Sequence, residues 1–385
     1  MRICLETSTF RARLAGIAYY TLFLADHLLA VQEDIELSGF DGNAFSSLSA
    51  ESLDRIRNGP EGGGETRAAG LYHRARQFRP AREAFRAYKA LRFRGGAGRF
   101  DLFHAMNFMP PAETGIPVLP LVHDISHERF PEAHPAERTH WLRKRLAHLD
   151  RYPLVNTVSS FSADEIARFY GYPRHRIRVT HPGVNPIFRG PAPATTNAML
   201  DRLELRAGHF FLSVGTMEPR KNHATLFAAY ALLGAGIRRR FPLVHVGQPG
   251  WGKGEPQHLA ALVAEGGVRM LGYADEATLR GLYASARALL FPTLYEGFGI
   301  PVAEAMASGL PAIVSDIDVM HEVTGGMADF VAPLDADGWA AAIMRAAESS
   351  ADGISGRKAA AQRASERFDW AETARETAAI YRELV

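Results

Sequence analysis

The sequence predicts an α/β protein made of two doubly wound, Rossmann-like domains. Three observations predict this class. Short apolar runs alternate with helical patterns along the chain, the strand pattern restarts at residues 210–215 after a Pro/Ala/Thr-rich stretch at 190–197, and 385 residues suit about two domains. A hydrophobic content of 47% is ample for two cores.

Composition and charge restrict the classes of function. Lys and Arg together number 44 against 42 Asp and Glu, so the net charge is only +2 and no nucleic-acid partner is expected. The one cysteine, Cys4, cannot form an internal disulfide and lies in an apparent first strand, which predicts a buried thiol. The amino terminus has no signal-peptide pattern, and no apolar run approaches the roughly 18 residues that span a bilayer. We therefore expect a cytoplasmic protein.

Apolar runs in the first half of the chain predict strands at residues 2–5, 101–105, 117–122 and 155–158. Gly16 precedes the helix after the first strand and allows the backbone to approach a ligand closely. His123 stands at the carboxyl end of a predicted strand, which is the edge where parallel sheets bind ligands. Ser162 is predicted to cap the helix after the last of these strands, with Glu165 completing a capping box.

A strongly basic stretch begins at Arg67 and ends at Arg99. Between these ends its cations are Arg74, Arg76, Arg79, Arg82, Arg86, Lys89, Arg92 and Arg94. Aromatic side chains are interleaved with them, and Glu83 is the one acid. A helix beginning at Pro80 would place Arg79, Arg82, Arg86 and Lys89 in one stripe. Two interpretations stay open: a solvated helix face, or a peripheral contact with anionic lipid at the inner face of the membrane or with a lipid-diphosphate acceptor.

The second half repeats the pattern of strand, loop and helix. Apolar runs predict strands at residues 210–215, 243–247, 268–273, 288–292 and 311–315. Arg220 and Lys221 follow the first of these strands, at the start of a helix. Two cations combined with the free N–H groups of a helix start suit a diphosphate group, and a solvated basic turn is the alternative.

Two carboxylates frame the loop between the last two predicted strands. Glu296 precedes the glycine-broken loop, and Glu304 falls in the first turn of the helix that Pro301 is expected to start. An ionised carboxylate only accepts hydrogen bonds and can bind both hydroxyls of a cis-diol. We therefore expect a hydroxyl-rich or anionic ligand here. The alternatives are a helix-dipole role for Glu304 and a solvated loop acid for Glu296.

Three motifs resemble those of retaining glycosyltransferases of the family-four type. They are E-G-F-G-I-P-V-A-E from Glu296 to Glu304, G-T-M-E-P-R-K-N at residues 215–222, and V-H-D at 122–124 followed by R-F-P-E at 129–132. The resemblance covers most of the chain and implies the GT-B fold, in which two Rossmann-like domains face a cleft. It implies an acceptor-side domain at 1–186, a nucleotide-sugar domain at 187–367, and a terminal helix at 368–385 that crosses back to the first domain.

The resemblance also implies roles for individual residues. The catalytic set would be His123, Arg220, Lys221 and Glu296, with the two cations stabilising charge on the leaving diphosphate. The donor-binding set would be Gly16, Gly215, Arg220, Lys221, Leu271, Gly272, Tyr273, Glu296, Gly297, Phe298, Gly299, Ile300 and Glu304. Ala18 departs from the family loop G-x-G-x-Y, which has glycine at this position. No cofactor and no metal are implied, and the sequence has no D-x-D motif.

The implied reaction is the transfer of a hexose from a nucleotide-sugar to a glycan or lipid-diphosphate-linked acceptor, with retention at the anomeric carbon. The His123 loop and the G-Q-P-G-W run at residues 247–251 look most like bacterial surface-polysaccharide enzymes that use GDP-mannose or GDP-rhamnose. The alternatives are a UDP-sugar-dependent transferase, a nucleotide-sugar epimerase of the same fold, a glycoside hydrolase with paired carboxylates, and a non-catalytic subunit that binds nucleotide-sugar.

Overall fold

The structure, a computed structural model, describes residues 1–11, 14, 16–58, 79–250 and 256–385. It does not describe the side chains of residues 79, 81, 82 and 351–355. Four residues named in the sequence analysis lie outside the described ranges. They are Arg67, Arg74 and Arg76 of the basic stretch and Trp251 of the G-Q-P-G-W run. The side chains of Arg79 and Arg82 are outside them as well.

Two compact units make up the chain. The first comprises Met1–Ile125, Trp141–Gly183 and Asp369–Val385, and the second comprises Ser126–His140 and Val184–Phe368. The first unit differs from the predicted domain 1–186 in two places, because Ser126–His140 and residues 184–186 group with the second unit. Phe130 in this segment packs against Tyr295 with ring centroids 5.8 Å apart, which is an apolar contact inside the second unit.

The first unit is built on a mainly parallel sheet. Its strands are β1 (Arg2–Glu6), β2 (Glu36–Phe40), β3 (Phe45–Ser47), β4 (Leu102–Ala105), β5 (Val118–Pro120), β6 (Val155–Thr157) and β7 (Ile177–Val179). The order β3-β2-β1-β4-β5 forms one sheet in which only the β2–β3 pair is antiparallel, and β6 pairs with β7. Cys4 is fully buried in β1, as predicted. The strand order reverses between β1 and β4, so ligands are expected beyond the carboxyl ends of these two strands.

The second unit carries a six-stranded, all-parallel sheet. Its strands are β8 (Phe211–Val214), β9 (Leu243–Val246), β10 (Val268–Gly272), β11 (Leu289–Phe291), β12 (Ala312–Ser315) and β13 (Asp329–Val331). Their order is β10-β9-β8-β11-β12-β13, with the reversal between β8 and β11. The core of this unit includes the fully buried rings of Phe211, Tyr230 and Trp339. The predicted class, α/β with two parallel-sheet domains, is confirmed.

Sixteen α-helices in the described ranges connect and cover these strands. They are α1 (Ile17–Val31), α2 (Ala50–Asn58), α3 (Arg79–Ala97), α4 (Ser126–Arg129), α5 (Ala136–Leu146), α6 (Ser160–Tyr170), α7 (Thr196–Arg202), α8 (His223–Leu232), α9 (Ala235–Arg240), α10 (Leu259–Ala264), α11 (Glu276–Ser285), α12 (Ile300–Ala307), α13 (Asp318–Thr324), α14 (Ala336–Glu348), α15 (Ala351–Ser365) and α16 (Trp370–Leu384). None of the helices in the described ranges is long and apolar enough to cross a membrane.

Helix α6 begins at a serine cap. The cap is Ser159, not the predicted Ser162, and the Ser159 side chain accepts a hydrogen bond from the Ser162 N–H. At the end of the chain, Trp370 of α16 packs against Tyr20 and Phe23 of α1, with ring centroids 5.3 and 5.6 Å away. The terminal helix is thus part of the core of the first unit.

Candidate functional site

The loops after β8 and β11 are joined to each other by hydrogen bonds. Because these strands are neighbours at the reversal of the sheet, their carboxyl ends meet at one edge. The Leu294 N–H donates to the Arg220 carbonyl (2.9 Å), and the Asn222 side chain donates to the Pro292 carbonyl (2.9 Å). The backbone that carries Arg220 and Lys221 is therefore fixed against the loop that carries Glu296.

The side chains of Arg220, Lys221 and Glu296 meet at this edge. Arg220 Nη1 lies 2.9 Å from Glu296 Oε2, and Lys221 Nζ lies 2.5 Å from Glu296 Oε1. The hydroxyl of Thr293 lies 3.1 Å from the same Oε1 and also 3.1 Å from the carbonyl oxygens of Arg220 and Tyr295, and its one proton serves one of these acceptors at a time. Glu296 is only 7% exposed, and a carboxylate buried to this extent needs such partners to stay ionised. Three residues predicted to be catalytic thus form one ion cluster.

A second carboxyl, that of Glu218, adjoins the cluster. Its Oε2 lies 3.5 Å from Arg220 Nη2. Burial alone would raise the pKa of Glu296, but the charges of Arg220 and Lys221 outweigh burial and hold that pKa below its usual value. The pKa of Glu218 is raised, because its burial outweighs the same two cations. The cluster is formally neutral when both carboxyls are ionised, and it becomes more positive when Glu218 takes up a proton.

Glu304 lies on α12, which follows Gly299. Gly299 has a φ of 106° and caps the helix, so α12 begins at Ile300, one residue before the predicted Pro301. Glu304 is half-buried, and its Oε2 accepts a hydrogen bond from the Tyr283 hydroxyl (2.9 Å). Burial raises the pKa of Glu304 to about 7, against the effect of this bond. The carboxyl therefore titrates near neutral pH.

The other donor-binding predictions fall at three places in the second unit. Gly215 follows β8, and the stem of Lys221 lies beside it, at 3.7 Å from where a Cβ would stand. Leu271 and Gly272 end β10, which β9 separates from β8, and Tyr273 follows with 38% of its surface exposed. Gly297 and Phe298 lie between Glu296 and Gly299. The Phe298 ring is buried against the ring of Phe368.

His123 and Gly16 belong to the first unit. His123 follows β5, and its Nε2 lies 2.9 Å from the Met106 carbonyl, so Nε2 carries the proton and Nδ1 is an acceptor. Burial lowers the pKa of His123, which is therefore neutral at pH 7. Gly16, with a φ of 41°, precedes α1, and a Cβ on it would meet open space. Ala18 is buried within the first turn of α1.

Four residues around these sites were missed by the sequence reasoning. Thr293 and Tyr283 gave no signal, because a hydroxyl's partner depends on the fold. Glu218 precedes the predicted Arg220 and Lys221 but was not assigned a role. Glu6 ends β1 and carried the same signal as His123, a polar residue at the carboxyl end of an apolar strand. Within the described ranges, no three His, Cys, Asp or Glu side chains are grouped to hold a metal ion.

The chain resembles known glycosyltransferases in sequence over most of its length. Residues 15–188 match the family model described as Glycosyltransferase Family 4, and residues 208–349 match that described as Glycosyl transferases group 1. O-antigen chain mannosyltransferase B from Escherichia coli is 33% identical over 361 residues, which cover 90% of each chain. MMP alpha-(1->4)-mannosyltransferase from Mycolicibacterium hassiacum is 29% identical and covers 76% of this chain and 72% of its own.

Solved structures agree in fold. HepE from Anabaena, crystallised with UDP-glucose, has a TM-score of 0.71 and 17% identity over the whole of both chains. WaaG, a glycosyltransferase involved in lipopolysaccharide biosynthesis, has a TM-score of 0.68 and 15% identity over 99% of each chain. These likenesses define a glycosyltransferase of the GT-B fold. With a 33% identical relative along nine-tenths of its length, the chain belongs to the family-four glycosyltransferases, as its motifs predicted.

Proposed function

We propose that the chain transfers a mannosyl residue from GDP-mannose to a glycan acceptor, with retention at the anomeric carbon. The observation that carries the proposal is the convergence of Arg220, Lys221 and Glu296 at the reversal of the second sheet. The names of several relatives support mannose as the sugar, and O-antigen chain mannosyltransferase B supports a role in surface-polysaccharide assembly. GDP-rhamnose is the second donor that the sequence motifs favour.

In the proposed reaction, Arg220 and Lys221 stabilise the charge that develops on the leaving diphosphate. Both cations contact Glu296 in the structure, so a bound diphosphate shares them with this carboxylate. Glu296 then accepts hydrogen bonds from hydroxyls of the donor sugar, and Glu304 accepts those of the ribose. Gly215, Gly297, Gly299 and Ile300 offer backbone groups to the donor.

Retention follows when departure and attack occur on one face of the sugar. The bond between the anomeric carbon and the diphosphate oxygen breaks, a bond from the acceptor oxygen forms, and the acceptor's proton passes to the diphosphate. No protein nucleophile takes part. His123 is neutral and presents Nδ1 as an acceptor, so its proposed role is to hold a hydroxyl of the donor sugar rather than to donate a proton.

The test is an incubation of the full chain with GDP-mannose, GDP-rhamnose and UDP-glucose in turn, each with short mannosides and with a lipid-diphosphate-linked glycan. Mass spectrometry identifies both products, and NMR gives the anomeric configuration. We expect GDP and an extended glycan with the donor's configuration. Free mannose without an extended glycan would point to a hydrolase, and preference for UDP-glucose or an inverted product would overturn the proposal. Lys221→Met should slow product formation by about 10²- to 10³-fold, whereas Arg345→Gln, which changes an exposed arginine on α14, should leave it unchanged.

We also propose that α3 brings the first unit to an anionic membrane surface. Arg86, Arg92 and Arg94 are exposed on this helix, together with Tyr88 (44% exposed) and Leu91 (70% exposed). Cations beside exposed apolar side chains suit an interface between water and lipid, and each cation near such a surface contributes about 1 kcal/mol. A lipid-linked acceptor would be found at the same surface.

Co-sedimentation with vesicles tests this contact. Wild type should sediment with vesicles of phosphatidylcholine containing phosphatidylglycerol, and salt should release it because exposed charges are screened. The variant Arg86→Ser/Arg94→Ser should stay in solution, while Arg239→Ser/Arg240→Ser, which removes two exposed arginines of α9, should behave as wild type. Equal sedimentation of the two variants would mean that the cations of α3 form a solvated helix face and do not bind the vesicles.

A further inference from the structure

Glu6 is a buried carboxyl at the reversal of the first sheet. It is the last residue of β1, and Asn107 follows β4, so the two strand ends on either side of the reversal meet here. The Asn107 N–H donates to Glu6 Oε2 (3.1 Å), and the Ser8 hydroxyl donates to Glu6 Oε1 (3.0 Å). Each oxygen of a carboxylate has two acceptor positions. Among the described residues, these two hydrogen bonds use one acceptor position on each oxygen of Glu6 and leave the other to a ligand.

Two cations from different helices lie near this carboxyl. Lys89 of α3 and Arg145 of α5 both lower the pKa of Glu6, while burial, the larger effect, raises it to about 7. Lys89 reaches the sheet edge because Gly42, in the loop after β2, has no side chain: a Cβ on Gly42 would lie 2.8 Å from Lys89 Nζ. Arg145 donates to the Pro110 carbonyl and lies over the Trp141 ring, at 5.3 Å from its centroid.

This arrangement differs from that of an internal ion pair. In the part of the chain that the structure describes, the partners within hydrogen-bond distance of Glu6 are a hydroxyl and a backbone N–H, so its ionised form is only partly stabilised. Hydroxyl groups of a ligand could supply the missing donors, and the same hydroxyls could accept hydrogen bonds from Lys89 and Arg145. A phosphate suits the place less well, because it would bring negative charge against Glu6.

We propose that Glu6 binds adjacent hydroxyl groups of the acceptor's terminal sugar, at a site beyond the carboxyl ends of β1 and β4. The inference rests on the proposed function in one respect, since it takes the ligand of this site to be the glycan acceptor. Glu6 binds both hydroxyls of a neutral ring, and Lys89 and Arg145 offset the cost of keeping its carboxylate ionised in the complex.

The experiment measures binding of methyl α-mannoside and of α-linked mannobiose to the full chain, by calorimetry or saturation-transfer NMR. Saturating GDP is present to occupy the donor site. Glu6→Gln keeps the size of the side chain but not its acceptor capacity, and it should weaken binding at least tenfold. Glu36→Gln is the matched control, since Glu36 is an exposed acid at the start of the neighbouring strand β2 and should bind as wild type.

Kinetics and thermal unfolding distinguish a ligand contact from a structural role. Under turnover, Glu6→Gln should raise the acceptor KM at least tenfold while the donor KM stays within about twofold. If Glu6→Gln does not fold, Glu6→Asp replaces it, because it retains the charge and withdraws the carboxyl by one methylene. A folded variant with a lower Tm but unchanged mannoside affinity would overturn the proposal.

Phosphate-bearing probes supply the remaining outcomes. Inorganic phosphate or mannose 1-phosphate binding more tightly than methyl α-mannoside, with loss in Lys89→Met, would show an anion site and overturn the inference. Because binding is measured without transfer, the inference and the proposed function fail separately. Mannoside binding that depends on Glu6 supports the site even where no product forms, and efficient transfer by Glu6→Gln with an unchanged acceptor KM refutes it.

Discussion

Each of the two sheets has a buried glutamate near its reversal, and the surroundings shift the pKa values of these two glutamates in opposite directions. Glu6 is the last residue of β1 and Glu296 lies in the loop after β11, so both are near the carboxyl ends of strands at the reversal of their sheets, and both are buried. Glu296 has Arg220 and Lys221 at 2.9 and 2.5 Å, and its pKa is lowered. Glu6 has a hydroxyl and an N–H as its near partners, and burial raises its pKa to about 7. The two glutamates therefore have similar places in their sheets, while the side chains around each one determine the direction of its pKa shift.

This difference matches two kinds of ligand. The two cations beside the carboxylate of Glu296 can also bind a diphosphate, which is a ligand of high negative charge. A carboxyl held by neutral donors suits an uncharged ligand with hydroxyl groups. Four measurements test whether the two sites differ in this way.

Removing one of the two cations beside Glu296 should have the largest effect. Lys221→Met or Arg220→Gln should lower kcat by about 10²- to 10³-fold at saturating donor, as the loss of one preorganised donor to a developing charge does. Steady-state kinetics with GDP-mannose measure it, and Arg345→Gln serves as the control. Near-normal turnover in Lys221→Met would mean that Lys221 serves only to keep Glu296 ionised.

The raised pKa of Glu6 should appear in the pH dependence of stability. A raised folded-state pKa stabilises the protein fully below the unfolded value of about 4.5, and this contribution is lost as pH rises through about 7. Between pH 5 and pH 8, wild type should therefore lose about 3 kcal/mol of unfolding free energy more than Glu6→Gln. Urea titrations at both pH values measure the difference. Parallel losses in the two proteins would show that Glu6 titrates normally.

Glu304 should affect nucleotide binding more than turnover. Glu304→Ala removes a charged hydrogen-bond acceptor, which typically costs about 1.5–3 kcal/mol of binding free energy. Calorimetric titration with GDP measures this loss, and kcat at saturating donor should change little. The pKa of Glu304 is also raised to about 7, so GDP affinity should improve as pH rises from 6 to 8 and should lose that dependence in Glu304→Gln. A fall in kcat with unchanged GDP affinity would contradict the ribose assignment.

The smallest effect is expected from the neutral donor to Glu296. Thr293→Val keeps the side-chain shape and removes the hydroxyl that lies 3.1 Å from Glu296 Oε1 and from the carbonyl oxygens of Arg220 and Tyr295. Because both cations remain, we expect a loss of only about 1 kcal/mol in stability. Thermal unfolding measures it, with Thr225→Val, which removes a similar bond to Asn222, as the matched control. A loss as large as that of Lys221→Met in kcat would mean that Thr293 positions the reacting groups.

The strands and the charged motifs were predictable because their signals are local. The apolar runs at β1, β8 and β11 and the P-R-K-N motif can be read without knowledge of tertiary contacts. Strand β2, with the sequence ELSGF, was missed because a charge, a serine and a glycine interrupt its apolar pattern. The predicted helix cap, Ser162, lies three residues after the observed cap, Ser159. Several serines near this helix start have a hydroxyl that can accept the capping hydrogen bond, so the sequence did not distinguish them.

The parts of the site that could not be predicted depend on residues far apart in the chain. Arg220 and Glu296 were each assigned a ligand, but their contact joins residues 76 positions apart and arises from the adjacency of β8 and β11. The grouping of Ser126–His140 with the second unit depends on contacts such as that of Phe130 with Tyr295. No local pattern encodes either contact.

The packing of α16 on α1 has a consequence for how the chain is made. Arg382 donates to Gln32, which stands 350 residues earlier, and Trp370 completes the aromatic cluster of Tyr20 and Phe23. The ribosome synthesises the first strands and helices of this unit long before it reaches α16. The first unit can therefore close only once residues 370–384 have been synthesised, and a fragment that stops at residue 186 would leave the apolar face of α1 open to solvent.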